Sequence, residues 1–133
     1  MPRGKTSEQL LTPLELELMN ILWETGPADV QTVQAKLLTR SLAYTSVQTM
    51  LNVLHRKGKV KRQLQNRAYL YTPVLTRQNA VTQAVGEMLD RFFGGSADSL
   101  VLSLIETRQL TPEKLADIQR VLEQSQEESH GNE

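Results

Sequence analysis

The sequence predicts a mainly α-helical fold that is interrupted by one β-hairpin near the middle of the chain. Apolar residues recur at helical spacing before residue 58 and again after residue 76, and turn or capping residues separate the segments. Between these regions, residues 60–64 (VKRQL) break the helical period and place basic and polar residues between apolar ones, which favours a strand. A chain of 133 residues with 39% hydrophobic content is long enough for one domain or two small lobes with apolar cores.

The first helix is predicted to begin at Thr12-Pro13-Leu14-Glu15. Thr12 and Glu15 have the spacing of a capping box, and proline suits the first helical position. The apolar residues of this helix recur on one face, at Leu14, Leu18, Ile21 and Leu22. Gly26-Pro27 is expected to end it.

Two further short helices are predicted between Asp29, which can cap the second helix, and Gly58, which ends the third. The third covers roughly residues 44–57. Their apolar faces consist of Val30, Val33 and Leu37 in the second helix and of Val47, Leu51 and Leu54 in the third. Three short helices joined by tight turns predict a helix-turn-helix.

A β-hairpin is predicted to follow the third helix. Its turn is expected at Gln65-Asn66-Arg67, and Tyr69 and Tyr71 favour the second strand, which Pro73 ends. For the two tyrosines, simple strand packing is a better interpretation than base stacking. A helix-turn-helix followed by such a hairpin is a winged helix.

Three more helices are predicted after the hairpin. The capping residues are Thr76, Ser96 and the Thr111-Pro112 pair, and Gly94-Gly95 ends the first of these helices near Phe93. The polar sequence from about residue 124 onward is expected to fray. The predicted organisation is a flexible N-terminus at 1–10, a winged helix at 11–74, a helical lobe at 75–124 and a flexible tail at 125–133.

The charge distribution points to a polyanionic partner for the first lobe. No acidic residue occurs between Val30 and Gly86, and this stretch carries nine Lys/Arg residues. Residues 1–74 hold ten bases and five acids (net +5), whereas residues 75–133 hold five bases and ten acids (net −5). A positive section in a neutral chain suits nucleic acid.

The third helix carries a polar stripe opposite its apolar face, at helical spacing. Short hydroxyl and amide side chains can read base edges in the major groove. The predicted base-reading residues are Thr45, Ser46, Gln48, Thr49 and Asn52. The predicted phosphate-binding residues are Arg56, Lys57, Lys59, Lys61, Arg62 and Arg67. A solvated polar helix face is the competing interpretation, but such a face ordinarily mixes Glu with Lys, and this one lacks acids.

The acidic lobe is expected to hold two subunits together. Its helices carry more apolar surface than a segment of this size can bury alone, and helix-turn-helix proteins usually bind as dimers. The predicted dimer interface consists of Val85, Met88, Leu89, Phe92, Leu100, Leu104 and Leu122. The alternative is that these residues only fold back on the first lobe.

Other functional classes find little support in the sequence. The chain has no cysteine, and neither of its histidines, His55 and His130, has a partner at metal-ligand spacing. There is no glycine-rich phosphate loop, no apolar run of membrane-spanning length and no signal-peptide core. We therefore predict a cytoplasmic protein that is not an enzyme and uses no metal or cofactor.

Five stretches of the sequence, with their order and spacing, resemble the penicillinase-repressor (BlaI/MecI/CopY) family of bacterial transcriptional regulators. They are residues 14–23 (LELELMNILW), 44–51 (YTSVQTML), 67–71 (RAYLY), 92–96 (FFGGS) and 99–102 (SLVL). The resemblance implies a homodimer of winged helices that binds palindromic operators in double-stranded DNA and represses a promoter.

The resemblance also implies a route of induction, in which a membrane sensor protease, or a protease downstream of it, triggers cleavage within the dimerisation lobe. The corresponding bond here is Ser103-Leu104, where well-known members have Asn-Phe. The copper-responsive branch uses C-terminal cysteines, which this chain lacks. A ligand-sensing winged-helix regulator and a winged-helix protein–protein adaptor stay open as alternatives.

Overall fold

The computed structural model describes the backbone of residues 10–131 and the side chains of residues 10–128. This part of the chain is mainly helical and contains one antiparallel hairpin. The elements, in chain order, are α1 (Pro13–Thr25), α2 (Val30–Lys36), α3 (Tyr44–Arg56), β1 (Val60–Gln65), β2 (Ala68–Pro73), α4 (Arg77–Phe92), α5 (Ala97–Glu106) and α6 (Pro112–Gly131). The predicted mobility of residues 1–10 falls almost entirely outside the described residues.

Helix α1 begins with the predicted capping box. The Glu15 amide donates to the Thr12 hydroxyl at 3.2 Å, and the Thr12 amide donates to the Glu15 carboxylate at 2.8 Å. Two amides that the first helical turn cannot satisfy internally are paired in this way. Gly26 ends the helix at a φ of 75°, and its amide donates to the Leu22 carbonyl.

The core of the first unit lies between α1, α2, α3 and the hairpin. Its buried apolar residues are Leu18, Met19, Leu22, Ala28, Val30, Val33, Val47, Leu51, Leu54, Val60 and Tyr71. All three predicted apolar residues of α3 are in this core, together with two of α1 and two of α2, whereas Leu14, Ile21 and Leu37 are partly buried and pack against it. Burial of these side chains against one another fixes α3 by one face and leaves its other face outward.

The hairpin has a tighter turn than the sequence predicts. Strands β1 and β2 pair in register from Val60–Pro73 to Gln65–Ala68, which leaves only Asn66 and Arg67 in the turn. Both residues have positive φ values, 51° and 69°, as a two-residue turn of this twist requires. Tyr71 also exchanges backbone hydrogen bonds with Ala28, so the connection between α1 and α2 pairs with the hairpin.

The chain divides into two compact units, of which the first ends at Glu87 and the second begins at Met88, within α4. The boundary predicted between residues 74 and 75 stays a prediction. The hydroxyls of Thr76, Ser96 and Thr111 cap the last three helices as predicted, accepting from the amides of Asn79, Ser99 and Lys114. No helix in the described part of the chain has the length and apolar character needed to cross a membrane.

Helix α6 is longer than the sequence predicts. It continues to Gly131, whereas fraying was expected from about residue 124. The added segment contains glutamate, glutamine and serine without proline or an internal glycine, and glutamate and glutamine are good helix formers. A polar composition predicts that a segment is exposed to solvent, but polarity alone does not end a helix.

Candidate nucleic-acid interface

Helix α3 presents the predicted reading residues on its outer face. Val47, Leu51 and Leu54 are fully buried and anchor the opposite face of the helix. Four predicted base-reading residues are exposed, namely Thr45, Ser46, Gln48 and Thr49. The described residues of α3 and the hairpin include no acid. The exposed face therefore offers hydroxyl and amide groups without a repelling carboxylate of its own.

The six predicted phosphate ligands have different environments. Arg56, Lys61 and Arg67 are exposed, whereas Arg62 is half-buried. Arg67 lies in the hairpin turn and Lys61 on β1, and Arg56 ends α3. Together with Arg62, they place positive charge at the end of α3 and along the hairpin, and these four cations are called the rim below.

Lys57 is held by a carboxylate from α1. Its ammonium donates to Glu15 at 2.8 Å, and Glu15 is buried with 1% of its surface exposed. Burial alone raises the pKa of Glu15, but hydrogen bonds from Lys57 and Thr12 and the charge of Lys57 outweigh it and hold the pKa below its ordinary value. Lys59, two residues further along the chain, is buried, at 9% exposure.

A second carboxylate of α1 binds the turn that precedes α3. Glu17 forms an ion pair with Arg40 and accepts a hydrogen bond from the Thr39 hydroxyl. Two carboxylates of α1 therefore contact the segment between residues 30 and 86, which has no acidic residue of its own. Both acids lie more than twenty residues from their partners, so the sequence offers no local signal for either contact.

Asn52 joins α3 to the hairpin. Its side-chain oxygen accepts two hydrogen bonds of 2.7 Å, one from a guanidinium nitrogen of Arg62 and one from the Tyr71 hydroxyl. The Arg62 guanidinium also lies over the Tyr69 ring, 4.3 Å from its centre. No pattern in the sequence predicts this cluster. The alternation of β2 could have indicated that Tyr69 and Tyr71 share a face, but not that they meet Arg62.

A cleft of about 370 Å³ lies between the second half of α3 and β1. Two predicted reading residues and two predicted phosphate ligands meet there together with His55. The lining residues are Thr49, Asn52, His55, Arg56 and Arg62.

The helices after the hairpin expose their apolar stripes. No residue of α4 or α5 is buried, although both helices are amphipathic. Among the predicted dimer residues, Val85 is 43% exposed, Met88 46%, Phe92 73% and Leu122 58%. Leu89, Leu100 and Leu104 are half-buried. Large apolar side chains with this exposure are typical of a surface that a partner covers.

Three helices, a basic hairpin and an exposed polar face on the third helix define a winged-helix DNA-binding protein. Residues 11–124 match the family model described as Penicillinase repressor, and the chain belongs to that family. It is a DNA-binding transcriptional repressor and, like its family, not an enzyme. The family resemblance and the winged-helix fold class expected from the sequence are confirmed.

Individual relatives agree with this assignment. The chain is 28% identical over 115 residues to a penicillinase repressor of Bacillus licheniformis, a match that covers 86% of this chain and 90% of the relative. It is 22% identical over 120 residues to the methicillin resistance regulatory protein MecI of Mammaliicoccus sciuri, covering 90% and 96%. Among solved structures, a MarR family protein from Bacillus stearothermophilus shares the fold, with a TM-score of 0.50, 16% identity and coverage of 96% and 81%.

Proposed function

We propose that this repressor binds a palindromic operator as a homodimer, with α3 of each subunit in the major groove and the hairpin against the backbone. The observation that carries the proposal is the exposed, acid-free polar face of α3 with its rim of cations. Since its proposed target is DNA, we assign the repressor to the cytoplasm. Transcription falls because the bound dimer occupies the promoter.

The base contacts are assigned to the exposed part of α3. Gln48 can pair with adenine, and Thr45, Ser46 and Thr49 can donate to base edges or touch a thymine methyl. Phosphate contacts are assigned to the cations of the rim, Arg56, Lys61, Arg62 and Arg67. Lys57 and Lys59 keep the same proposed role, although Lys57 already binds Glu15.

Dimerisation is assigned to the exposed apolar stripes of the last three helices. Phe92, at 73% exposure, is the largest apolar side chain that water reaches there. A second subunit that covers the stripes removes this surface from water, and the gain scales with the buried apolar area. The interface includes the seven residues predicted from the sequence.

The dimer is tested by sedimentation and by gel shift on an operator selected from random DNA. Phe92→Glu should convert a dimer into a monomer and lower operator affinity by about 10² to 10⁴, because two linked half-sites bind far better than one. Leu16→Glu is the matched control, since Leu16 is 42% exposed on α1. Monomeric wild-type protein at concentrations that saturate the operator would contradict the dimer.

We also assign induction to cleavage at Ser103-Leu104, near the end of α5. The Ser103 carbonyl accepts from the Thr107 amide at 3.0 Å and the Leu104 carbonyl from the Gln109 amide at 2.8 Å, so a protease must first unwind this turn. A nick here separates the halves of the dimerisation lobe. Nicked protein should lose operator affinity by about 10² to 10⁴, and unchanged affinity in a gel shift would reject this route.

A further inference from the structure

The side-chain oxygen of Asn52 is already fully used within the protein. Arg62 and Tyr71 each donate to it at 2.7 Å, and an amide oxygen has two lone pairs. Reading an adenine bidentately requires this oxygen as well as the amide nitrogen. Asn52 would have to release both donors in order to read a base, and the Tyr71 hydroxyl, in a residue with 1% exposure, would lose its partner.

Arg62 is held from two sides by neighbouring residues. Asn52 binds one guanidinium nitrogen, and the ring of Tyr69 lies 4.3 Å from the guanidinium carbon. A long side chain that is ordered before binding loses less conformational entropy when it binds. The guanidinium is planar and presents several donors, so the donors that Asn52 does not use remain for a ligand.

The held guanidinium lines a cleft whose other walls carry cationic or polar groups. His55 and Arg56 lie on the last turn of α3, and Thr49 lies nearly two turns earlier. The cleft volume of about 370 Å³ accepts a phosphodiester group. Guanidinium donors in a fixed geometry match phosphate oxygens better than a mobile lysine does.

We propose that Asn52 is a positioning residue, which holds Arg62 in place for one phosphate of the DNA backbone and does not read a base. This inference rests on the proposed operator binding. It removes Asn52 from the five sequence-predicted base contacts and makes it a support for the phosphate contact already assigned to Arg62. Specificity then depends on the exposed part of α3 alone, and the junction of helix and hairpin contributes affinity on any sequence.

The test is a double-mutant cycle with Asn52→Ala and Arg62→Ala. It is made in a Tyr71→Phe background, so that no buried hydroxyl is left without its acceptor, and thermal unfolding checks that each variant is folded. Affinity is measured across a salt series on the selected operator and on a random duplex. Asn52→Ala should weaken both complexes by the same factor, and Arg62→Ala should lower the salt slope by about one.

Coupling between the two substitutions shows whether Asn52 positions Arg62 or reads a base. In the protein that carries Asn52→Ala, Arg62→Ala should reduce DNA affinity by a factor at least about threefold smaller than in the protein that keeps Asn52. The reason is that substitutions of residues in contact are not additive. Gln48→Ala, on the same helix, is the matched control and should be additive with Arg62→Ala. In the free protein, the Arg62 guanidinium should give separate, slowly rotating N–H signals that Asn52→Ala abolishes.

Each outcome decides between distinct possibilities. If Asn52→Ala weakens only the operator complex and is additive with Arg62→Ala, Asn52 reads a base and the inference is overturned. If the parent protein binds no duplex at low salt, operator binding itself fails, and the inference fails with it. Operator binding and the positioning role of Asn52 are both supported if the protein binds the operator, Asn52→Ala is coupled to Arg62→Ala, and Gln48→Ala is additive with Arg62→Ala.

Discussion

The carboxylate of Glu15 in the first turn of α1 accepts a 2.8 Å hydrogen bond from the ammonium of Lys57, which follows α3. Glu15 also completes the capping box with Thr12, so one buried side chain both starts α1 and connects it to the end of α3. The contact fixes the two helices relative to each other within the first unit.

Lys57→Met should lower the free energy of unfolding by about 1–3 kcal/mol, because the buried carboxylate would lose its charged donor. Chemical denaturation measures this change. Lys61→Met is the matched control, since Lys61 is exposed on β1, and it should change stability by less than about 0.5 kcal/mol. Equal stability of the two variants would contradict the structural role. A fall of about one in the salt slope for Lys57→Met would assign this lysine a phosphate contact as well.

Acid should destabilise the protein partly through Glu15. Its folded pKa lies below the ordinary value of 4.5, so its contribution to stability is present above that pH and is lost as pH falls through the lower folded value. Glu15→Gln should therefore flatten the dependence of unfolding free energy on pH below about 4.5. Denaturation at stepped pH measures the slope. An unchanged acid slope in Glu15→Gln would exclude this contribution.

Arg67→Gly should separate stability from DNA binding. Arg67 has a φ of 69° in the hairpin turn, a conformation that costs a non-glycine residue about 1 kcal/mol. The glycine variant should gain roughly that stability and still lose affinity on every duplex, with a salt slope lower by about one. Arg67→Ala is the control, since it removes the charge without relieving the backbone. Equal thermal stability of the two variants would argue against strain in the turn.

Gln48→Ala should reduce discrimination between operator and random DNA by about 1–3 kcal/mol, since its exposed amide is assigned to a base edge. Lys61→Ala should instead weaken both complexes and lower the salt slope by about one. Parallel gel shifts on the two duplexes across salt distinguish the patterns. Equal losses on both duplexes for Gln48→Ala would remove its reading role.

Local interactions explain why much of the fold can be predicted from sequence. The Thr12–Glu15 capping box, the hydroxyl caps at Thr76, Ser96 and Thr111, and the apolar period of α3 all act within about four residues. The exposed positions of Gln48 and Thr49 follow from that same period. In the structure α6 continues to Gly131, because polar composition is a weak signal for where a helix stops.

The sequence by itself determined the succession of helices and hairpin, the polar face of α3 and the concentration of positive charge. Only the tertiary structure decided which charges remain available to a ligand. Lys57 meets an acid 42 residues away, and Asn52 meets Arg62 and Tyr71, 10 and 19 residues away on another element. Such pairings depend on how apolar faces pack, because packing brings distant polar groups within hydrogen-bond range, and no local periodicity encodes them.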